Sequence, residues 1–301
     1  MSKMKLETIT ALHIGSGDIL QKDSDFVFGI DTEERSVVYV INPRKVLALI
    51  GEENVDTWTV AIENGRSTED IVKLYAPKAS ITDYSLHAID SYLSSPAQQI
   101  KEFIRDGFDR PYIPGSSIKG AIRTAVLSSI AQAMNETDFL KNVKNKGNIT
   151  PNTLEAKVFG KNPNYDVFRY VCVSDAFATG YRTGVYNMVN INEGGKNLFW
   201  DTSNEMATEV LLSGTEVDFS LVLKQPERRP KDMPAAPKAL CSIDALLNVI
   251  NNHTGTLLTK EINIFKNKDV DTLSEEKVNS YIEQLKDLLN IVNACKGTHS
   301  A

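Results

Sequence analysis

The chain has 301 residues, 42% of them hydrophobic and 24% charged, and 33 basic against 39 acidic side chains leave a net charge of −6. That length suits one large domain or two ordinary ones with a sizeable core, and the composition is that of a globular protein, not a fibrous or disordered one. The acidic balance weighs against a free-standing nucleic-acid binder, whose footprint is normally basic, and leaves room only for a local basic groove.

In chain order, Phe26 to Ile30 and Val37 to Ile41 are β-rich runs joined by a polar hairpin connection over 31–36. A short helix follows, in which Asn42 suits the N-cap, Pro43 the first helical position and Gly51 the stop. Residues 54–75 read as helix in two pieces, broken near Gly65. Gln98 to Arg105 reads as a strand, leading through Asp106-Gly107 into the run Pro111-Tyr112-Ile113-Pro114-Gly115-Ser116-Ser117-Ile118-Lys119-Gly120-Ala121-Ile122-Arg123.

In that run Pro114 and Gly115 break whatever precedes them, and Ser116 or Ser117 caps a helix over 116–134 by accepting from its first free amides. Ile118, Ile122, Ala125 and Val126 form a buried stripe, while Lys119 and Arg123, four residues apart, share another face. Free amides, hydroxyls, a glycine admitting close approach and two cations then point at one place, which suits a phosphate backbone. Neither cation belongs to the stripe, so replacing both is expected to leave the fold intact.

Residues 135–165 are polar, rich in Asn and Lys, and read as a long connection or insertion. The apolar run 167–175 restarts β structure with Phe168, Tyr170 and Cys172 on one strand face. These read as core, because the standard aromatic RNA-binding signature is absent. Val217 to Leu223 alternates as a strand. Lys224 to Lys238 carries Pro226, Pro230, Pro234 and Pro237 and reads as an extended loop, basic through Arg228, Arg229 and Lys231. The final helix has Thr272 and Glu275 as a capping box, a stripe from Val278 through Leu285 to Val292, and Gly297 as its stop. This succession argues for α+β layers rather than a doubly wound sheet.

Three widely separated cysteines, Cys172, Cys241 and Cys295, form neither a disulfide framework nor a Cys-x-x-Cys site, and His87, His253 and His299 are scattered. No metal or cofactor site is expected. His13 stands beside Gly15, Ser16 and Gly17, and Asp18, Asp23 and Asp25 follow. A ribonuclease mechanism needs a partner acid or base and a cation beside the histidine, and the sequence places neither. Lys141, Lys144 and Lys146 read as a solvated cluster. Met1 to Lys5 show no apolar signal segment and no run reaches membrane-spanning length, so the expected compartment is the cytoplasm.

The run 113–123 resembles the Ile-Pro-Gly-Ser-Ser-x-Lys-Gly-x-x-Arg signature of the RAMP superfamily, the repeat-associated proteins of CRISPR systems. Leu12 to Gly17 resembles that family's first strand and glycine turn, Phe26 to Pro43 its hairpin, and Phe168 to Asp175 and Glu209 to Leu223 later strands. The similarity covers most of residues 4–225. Within the superfamily it points to the fifth-subunit family of type III-A (Csm) effector complexes.

The resemblance implies tandem ferredoxin-like, RRM-related domains with insertions. A first domain over 1–135 would carry the signature, 136–165 would be a polar connection, and 166–301 an incomplete second domain. Such proteins usually continue past the final helix into a strand and a glycine-rich loop, so the C-terminal part is expected to be truncated. It also implies a non-catalytic RNA-binding subunit that caps the filament of Csm backbone subunits and covers the 3′ region of the guide RNA. Its partners would be guide RNA and neighbouring Csm subunits, with target RNA as a further contact. The RNA-contacting residues expected on this basis are His13, Gly15, Ser16, Gly17, Gly115, Ser116, Ser117, Lys119, Gly120, Arg123, Arg228 and Arg229. Two other classes stay open: a RAMP endoribonuclease, and a cap that works mainly through protein surfaces.

Overall fold

The computed structural model describes residues 2–145, 148–149, 151–178, 180–192, 199–267 and 274–301. Lys146 and Thr272 lie outside them. The chain opens with Ser2–Glu7 (β1), whose Met4 and Leu6 turn inward while Lys3 and Lys5 are exposed. Gly15–Gln21 (β2), Phe26–Ile30 (β3) and Ser36–Ile41 (β4) follow, then helices Pro43–Ile50 (α1), Val55–Glu63 (α2), Thr68–Tyr75 (α3) and Ile81–Tyr84 (α4). Asn42 caps α1, its Oδ1 accepting from the amides of Arg44 and Lys45 at 3.0 and 3.3 Å. Ser67 and Asp70 close a capping box on α3. Alternation along the β3–β4 hairpin sends Val37, Tyr39 and Ile41 against Val46, Ile50, Ile71 and Val72 of these helices. Val38 and Val40 face the other side, where they meet Ile89, Ile100 and Val185.

Ser85–Ser91 (β5), Gln99–Phe103 (β6) and Tyr112–Ile113 (β7) lead into the long helix Gly115–Gln132 (α5). The expected polar connection holds Glu136–Val143 (α6), Lys144–Asn145 (β8), Asn148–Ile149 (β9) and Pro151–Phe159 (α7). Asn and Lys hide few apolar positions there, yet Leu154 and Phe159 are buried, which is enough to fold α7 onto the core. A 3₁₀ turn takes up Val167–Tyr170 before Val171–Val173 (β10) and Ala176–Ala178 (β11). Phe168 and Tyr170 therefore do not share a strand face with Cys172. The apolar run was too compact to show that Asp166 caps a turn there, its Oδ1 accepting from Phe168 N at 2.7 Å.

Thr183–Asn192 (β12), Phe199–Leu211 (β13) and Glu216–Leu223 (β14) complete the strands. No helix or strand lies between Leu223 and Lys238, but Met233 is buried and pins that segment to the core. Ile243–Asn267 (α8), a helix absent from the sequence expectations, packs against Glu275–Cys295 (α9) through Ile262, Phe265, Ile282 and Leu285. The cap of α9 is Ser274, whose hydroxyl accepts from the Lys277 amide at 3.4 Å.

The strands form two main sheets. A five-stranded one runs β1-β14-β11-β7 with β10 also on β14, and a seven-stranded one runs β2-β6-β13-β12-β5-β4-β3. Pairing in both is antiparallel except between β12 and β5 and between β13 and β6. The class is α+β. Each sheet draws strands from both halves of the chain, so the boundary expected near 135–165 does not separate one sheet from the other. Helix α5 covers the five-stranded sheet, its Ile122 and Val126 packing with Val171, Leu221, Leu240 and Leu246. Among the described residues no helix is long and apolar enough to cross a membrane.

Candidate nucleic-acid interface

Helix α5 begins at Gly115, with Pro114 in the cap position and no side-chain cap. Ser116 and Ser117 therefore lie inside the first turn, exposed, instead of capping it. The capping task falls to Asp175, between β10 and β11, whose Oδ1 accepts from Gly115 N at 2.7 Å, a carboxylate where the helix dipole favours one. Gly115 is buried. A β-carbon there would lie 2.5 Å from the carbonyl oxygen of Val173 and 2.8 Å from that of Ser174, so this glycine admits the chain's own backbone, not a phosphate. Gly120 is the opposite case, exposed, with nothing within 4 Å of where a β-carbon would stand.

Lys119 and Arg123 share a helix face as their spacing requires, but they do different things. The Arg123 Nε donates to Glu155 Oε1 of α7 at 2.6 Å, and its Nη1 lies 2.9 Å from Asp166 Oδ2. Its guanidinium also stands 4.2 Å from the ring centre of Phe159 and 5.1 Å from that of Phe168. It is a structural tie, not the free phosphate ligand the sequence suggests, because the segment read as a loop folds over it. Lys119, half-buried, has no ion pair with any described residue. Between α5, α7 and residues 160–169 lies a groove of about 490 Å³ lined by Lys119, Arg123, Lys161 and Arg169, with Glu155 and Asp166 the only carboxylates among its described lining residues. Arg123 holds both of those acids, and the four cations still outnumber the two carboxylates, so the groove is basic. Lys161 and Arg169 were missed. Nothing in their local sequence marks them, and only the return of the chain after α7 brings them beside Lys119.

The segment 12–17 sits close by, since Leu12 and Ile14 join Ile118 and Ile113 in one small apolar cluster. Gly15 to Gly17 do not form a turn. They begin β2, an edge strand whose register with β6 shifts between Gly15 and Ile19, and Gly17 at φ +100° supplies the conformation this bulge needs. Ser16 is tied locally, its Oγ accepting from Asp18 N at 3.0 Å. The His13 Nδ1 lies 2.6 Å from the carbonyl oxygen of Glu209. A carbonyl only accepts, so that nitrogen carries a proton, and Nε2 lies beside Gly15. The buried Glu209 carboxylate is not its partner, for it is committed to Arg105 and to Phe103 N, the latter at 3.0 Å. Asp25 is likewise engaged, accepting from Gln21 N at 2.8 Å.

Between β6 and β7 the chain makes a tight turn that the sequence did not single out. Asp106 Oδ1 accepts from the amides of Phe108 and Arg110, each at 2.9 Å, and Oδ2 accepts from Arg110 Nε and Nη2 at 2.9 and 2.6 Å. Those bonds, the Arg110 side chain first, hold the Asp106 carboxyl below the usual carboxylate range. Asp109, at φ +63°, lies 2.6 Å from His87 Nδ1 through Oδ2, and its carbonyl accepts from Arg105 Nη1 at 2.9 Å. Arg228 and Arg229, in the proline-rich segment, are exposed and unpaired among the described residues.

A sequence model of the RAMP superfamily matches residues 5–297. The chain belongs to the RAMP superfamily. Among curated relatives, this RAMP chain is 30% identical over 190 residues to the CRISPR system protein Csm5 of Methanocaldococcus jannaschii, a match covering 58% of the chain and 42% of the relative. It is 45% identical over 56 residues to Csm5 of Streptococcus thermophilus, covering 18% of the chain and 16% of the relative. These matches span less than half the length of either curated relative. The crystal structure of T. onnurineus Csm5 superposes with a TM-score of 0.55 at 22% identity, over 73% of this chain and 67% of that one. A chain of a type III-A Csm–crRNA–target RNA ternary complex superposes with a TM-score of 0.65 at 19% identity, over 95% and 82%. The RAMP fold is thus common to all three.

Proposed function

We propose that this RAMP protein is a non-catalytic RNA-binding subunit of a type III-A (Csm) CRISPR ribonucleoprotein, capping the filament of backbone subunits and holding the 3′ region of the guide RNA. We read its two sheets as the two ferredoxin-like modules of such a subunit. The observation that carries the RNA reading is the groove beside α5, where four cations face two carboxylates in a chain whose net charge is −6. Lys119, Lys161 and Arg169 hold phosphates there, Gly120, exposed beside Lys119 on α5, lets the backbone approach the helix, and Arg123 holds the two acids. Such contacts fix position and carry no sequence information, so the guide is read by base pairing. The endoribonuclease reading is disfavoured because, among the described residues, no carboxylate bonds His13: its Nδ1 is held by the Glu209 carbonyl, and the Glu209 carboxylate serves Arg105. The acidic net charge favours assembly, with neighbouring subunits supplying the rest of the positive field.

The test is RNA binding by the full chain and by the assembled complex across a salt series. Lys119→Ala, Lys161→Ala and Arg169→Ala should each weaken binding to all sequences alike. Each should also lower the slope of log affinity against log salt by about 0.7, the single-strand value per phosphate. If the triple variant binds with unchanged slope in both settings, the groove is not the RNA site. Normal RNA binding with failed assembly would favour a cap acting through protein surfaces.

A further inference from the structure

We propose that the 106–110 turn is a stacking platform for one unpaired RNA base, with Phe108 as the ring on which the base lies. The inference rests on the RNA-binding reading and adds a second kind of contact to it. Phe108 is 82% exposed, the most exposed large apolar side chain among the described residues, yet the turn beneath it is rigid. Asp106 fixes the turn with four hydrogen bonds, and Arg105, only 7% exposed, anchors it from below through Glu209. A flexible loop exposes a phenylalanine by accident; this one holds it out.

The ring also heads a column of flat groups. The Arg110 guanidinium lies 5.3 Å from the Phe108 centroid and 5.5 Å from that of Phe177, and Phe177 stacks on Tyr112 at 5.5 Å with 19° between planes. Phe177 and Tyr112 are paired across β11 and β7, so the column stands on the open face of the five-stranded sheet, opposite α5. The next member of such a column is another flat π-system, and a nucleobase fits whatever its identity. A protein side chain fits less well. The column is one ring wide, and the register sets Asp218 and then Lys5 beside Phe177, so it is not the centre of an apolar patch. Strand β7 is the last of its sheet and α5 begins two residues after it, so one RNA strand can pass from the Lys119 groove around this edge to Phe108.

The experiment uses the full chain and single-stranded RNA carrying 5-iodouridine at successive positions, irradiated and mapped by mass spectrometry. The expected result is a crosslink to Phe108. Phe108→Ala should abolish it and weaken RNA binding about 5- to 150-fold, the range for losing one base–aromatic stack, while Phe108→Trp keeps both. Because the ring is exposed, both variants should unfold at the wild-type temperature. If the wild type binds RNA and Phe108→Ala binds equally well, the platform is wrong and the groove stands. If Phe108→Ala binds RNA normally but enters the assembled complex poorly, the ring is a protein contact and the platform is again wrong. If the wild type binds no RNA alone or in the complex, the RNA reading itself fails and takes the platform with it.

Discussion

Arg123 ties three parts of the chain together through one guanidinium. It sits on α5, pairs with Glu155 on α7 and with Asp166 at the cap of the 3₁₀ turn, and covers the ring of Phe159. Truncation strips these contacts and leaves two carboxylates near each other beside a half-covered pocket. Arg123→Ala should therefore cost about 1–3 kcal/mol of stability, while Lys119→Ala should stay within about 0.5 kcal/mol. Thermal unfolding of the two single variants checks this, and small, equal shifts for both would return the pair to a plain solvated face. In RNA binding the order differs. Lys119→Ala should lose affinity with its stability intact, whereas Arg123→Ala should lose affinity only as far as α7 comes loose. Spacing alone put both residues on one face, correctly. It could not separate their roles, because the acids that claim Arg123 lie 32 and 43 residues further on.

The elements read most easily from sequence are those whose limits are chemical. Helix α1 has its Asn cap, first-position Pro and terminal Gly, the α2–α3 break falls at Gly65, and the β3–β4 hairpin alternates cleanly. Helix α8 escaped because Asn251-Asn252-His253 and Gly255 interrupt its apolar spacing, although Asn251 is buried and bonds to the Ser300 carbonyl at 2.9 Å. Helix α5 starts at Gly115, one residue before the expected 116, and that residue changes the meaning of the motif. Its first glycine is required by packing and its second is left open, so they should respond oppositely. Gly115→Ala drives a β-carbon into fixed backbone at 173–174 and should destabilise by about 1–3 kcal/mol. Gly120→Ala meets nothing and should stabilise by about 0.5–1 kcal/mol through helix propensity. If Gly120 faces RNA, the same variant should bind RNA more weakly despite its gain. Denaturant unfolding and RNA titration on the two variants read both effects, and a stable Gly115→Ala would mean that the close approach to residues 173–174 does not fix the helix start.

At the scale of the molecule, sequence order and spatial order diverge. Strand β1 pairs with β14 from Ser2 opposite Leu221 to Glu7 opposite Glu216, and β6 lies beside β13. The Thr8 hydroxyl donates to the Leu212 carbonyl at 2.7 Å and accepts from Thr215 N at 3.0 Å, stitching the two ends of the fold. Such pairings leave no local trace, which is why two domains in succession looked natural. They also predict how the chain fails when divided. In a fragment of residues 1–135, the core of Val27, Val37, Tyr39, Val46, Ile50, Ile71, Val72 and Tyr84 is complete, because all of it comes from that segment. Helix α5 is in the opposite position. Val171, Leu221, Met233, Leu240 and Leu246, which cover its Ile122 and Val126, are all absent. Most of a helix's stability in a protein comes from packing its apolar face, and α5 loses that packing in the fragment. Amide hydrogen exchange on the fragment should therefore show protection retained in β3, β4 and α1 to α3 and lost throughout α5, whereas in the full chain α5 should open only near the global unfolding free energy. Protection of α5 in the fragment equal to that in the full chain would mean the signature helix belongs to an autonomous N-terminal domain, and the interleaving of the sheets would not be what holds it.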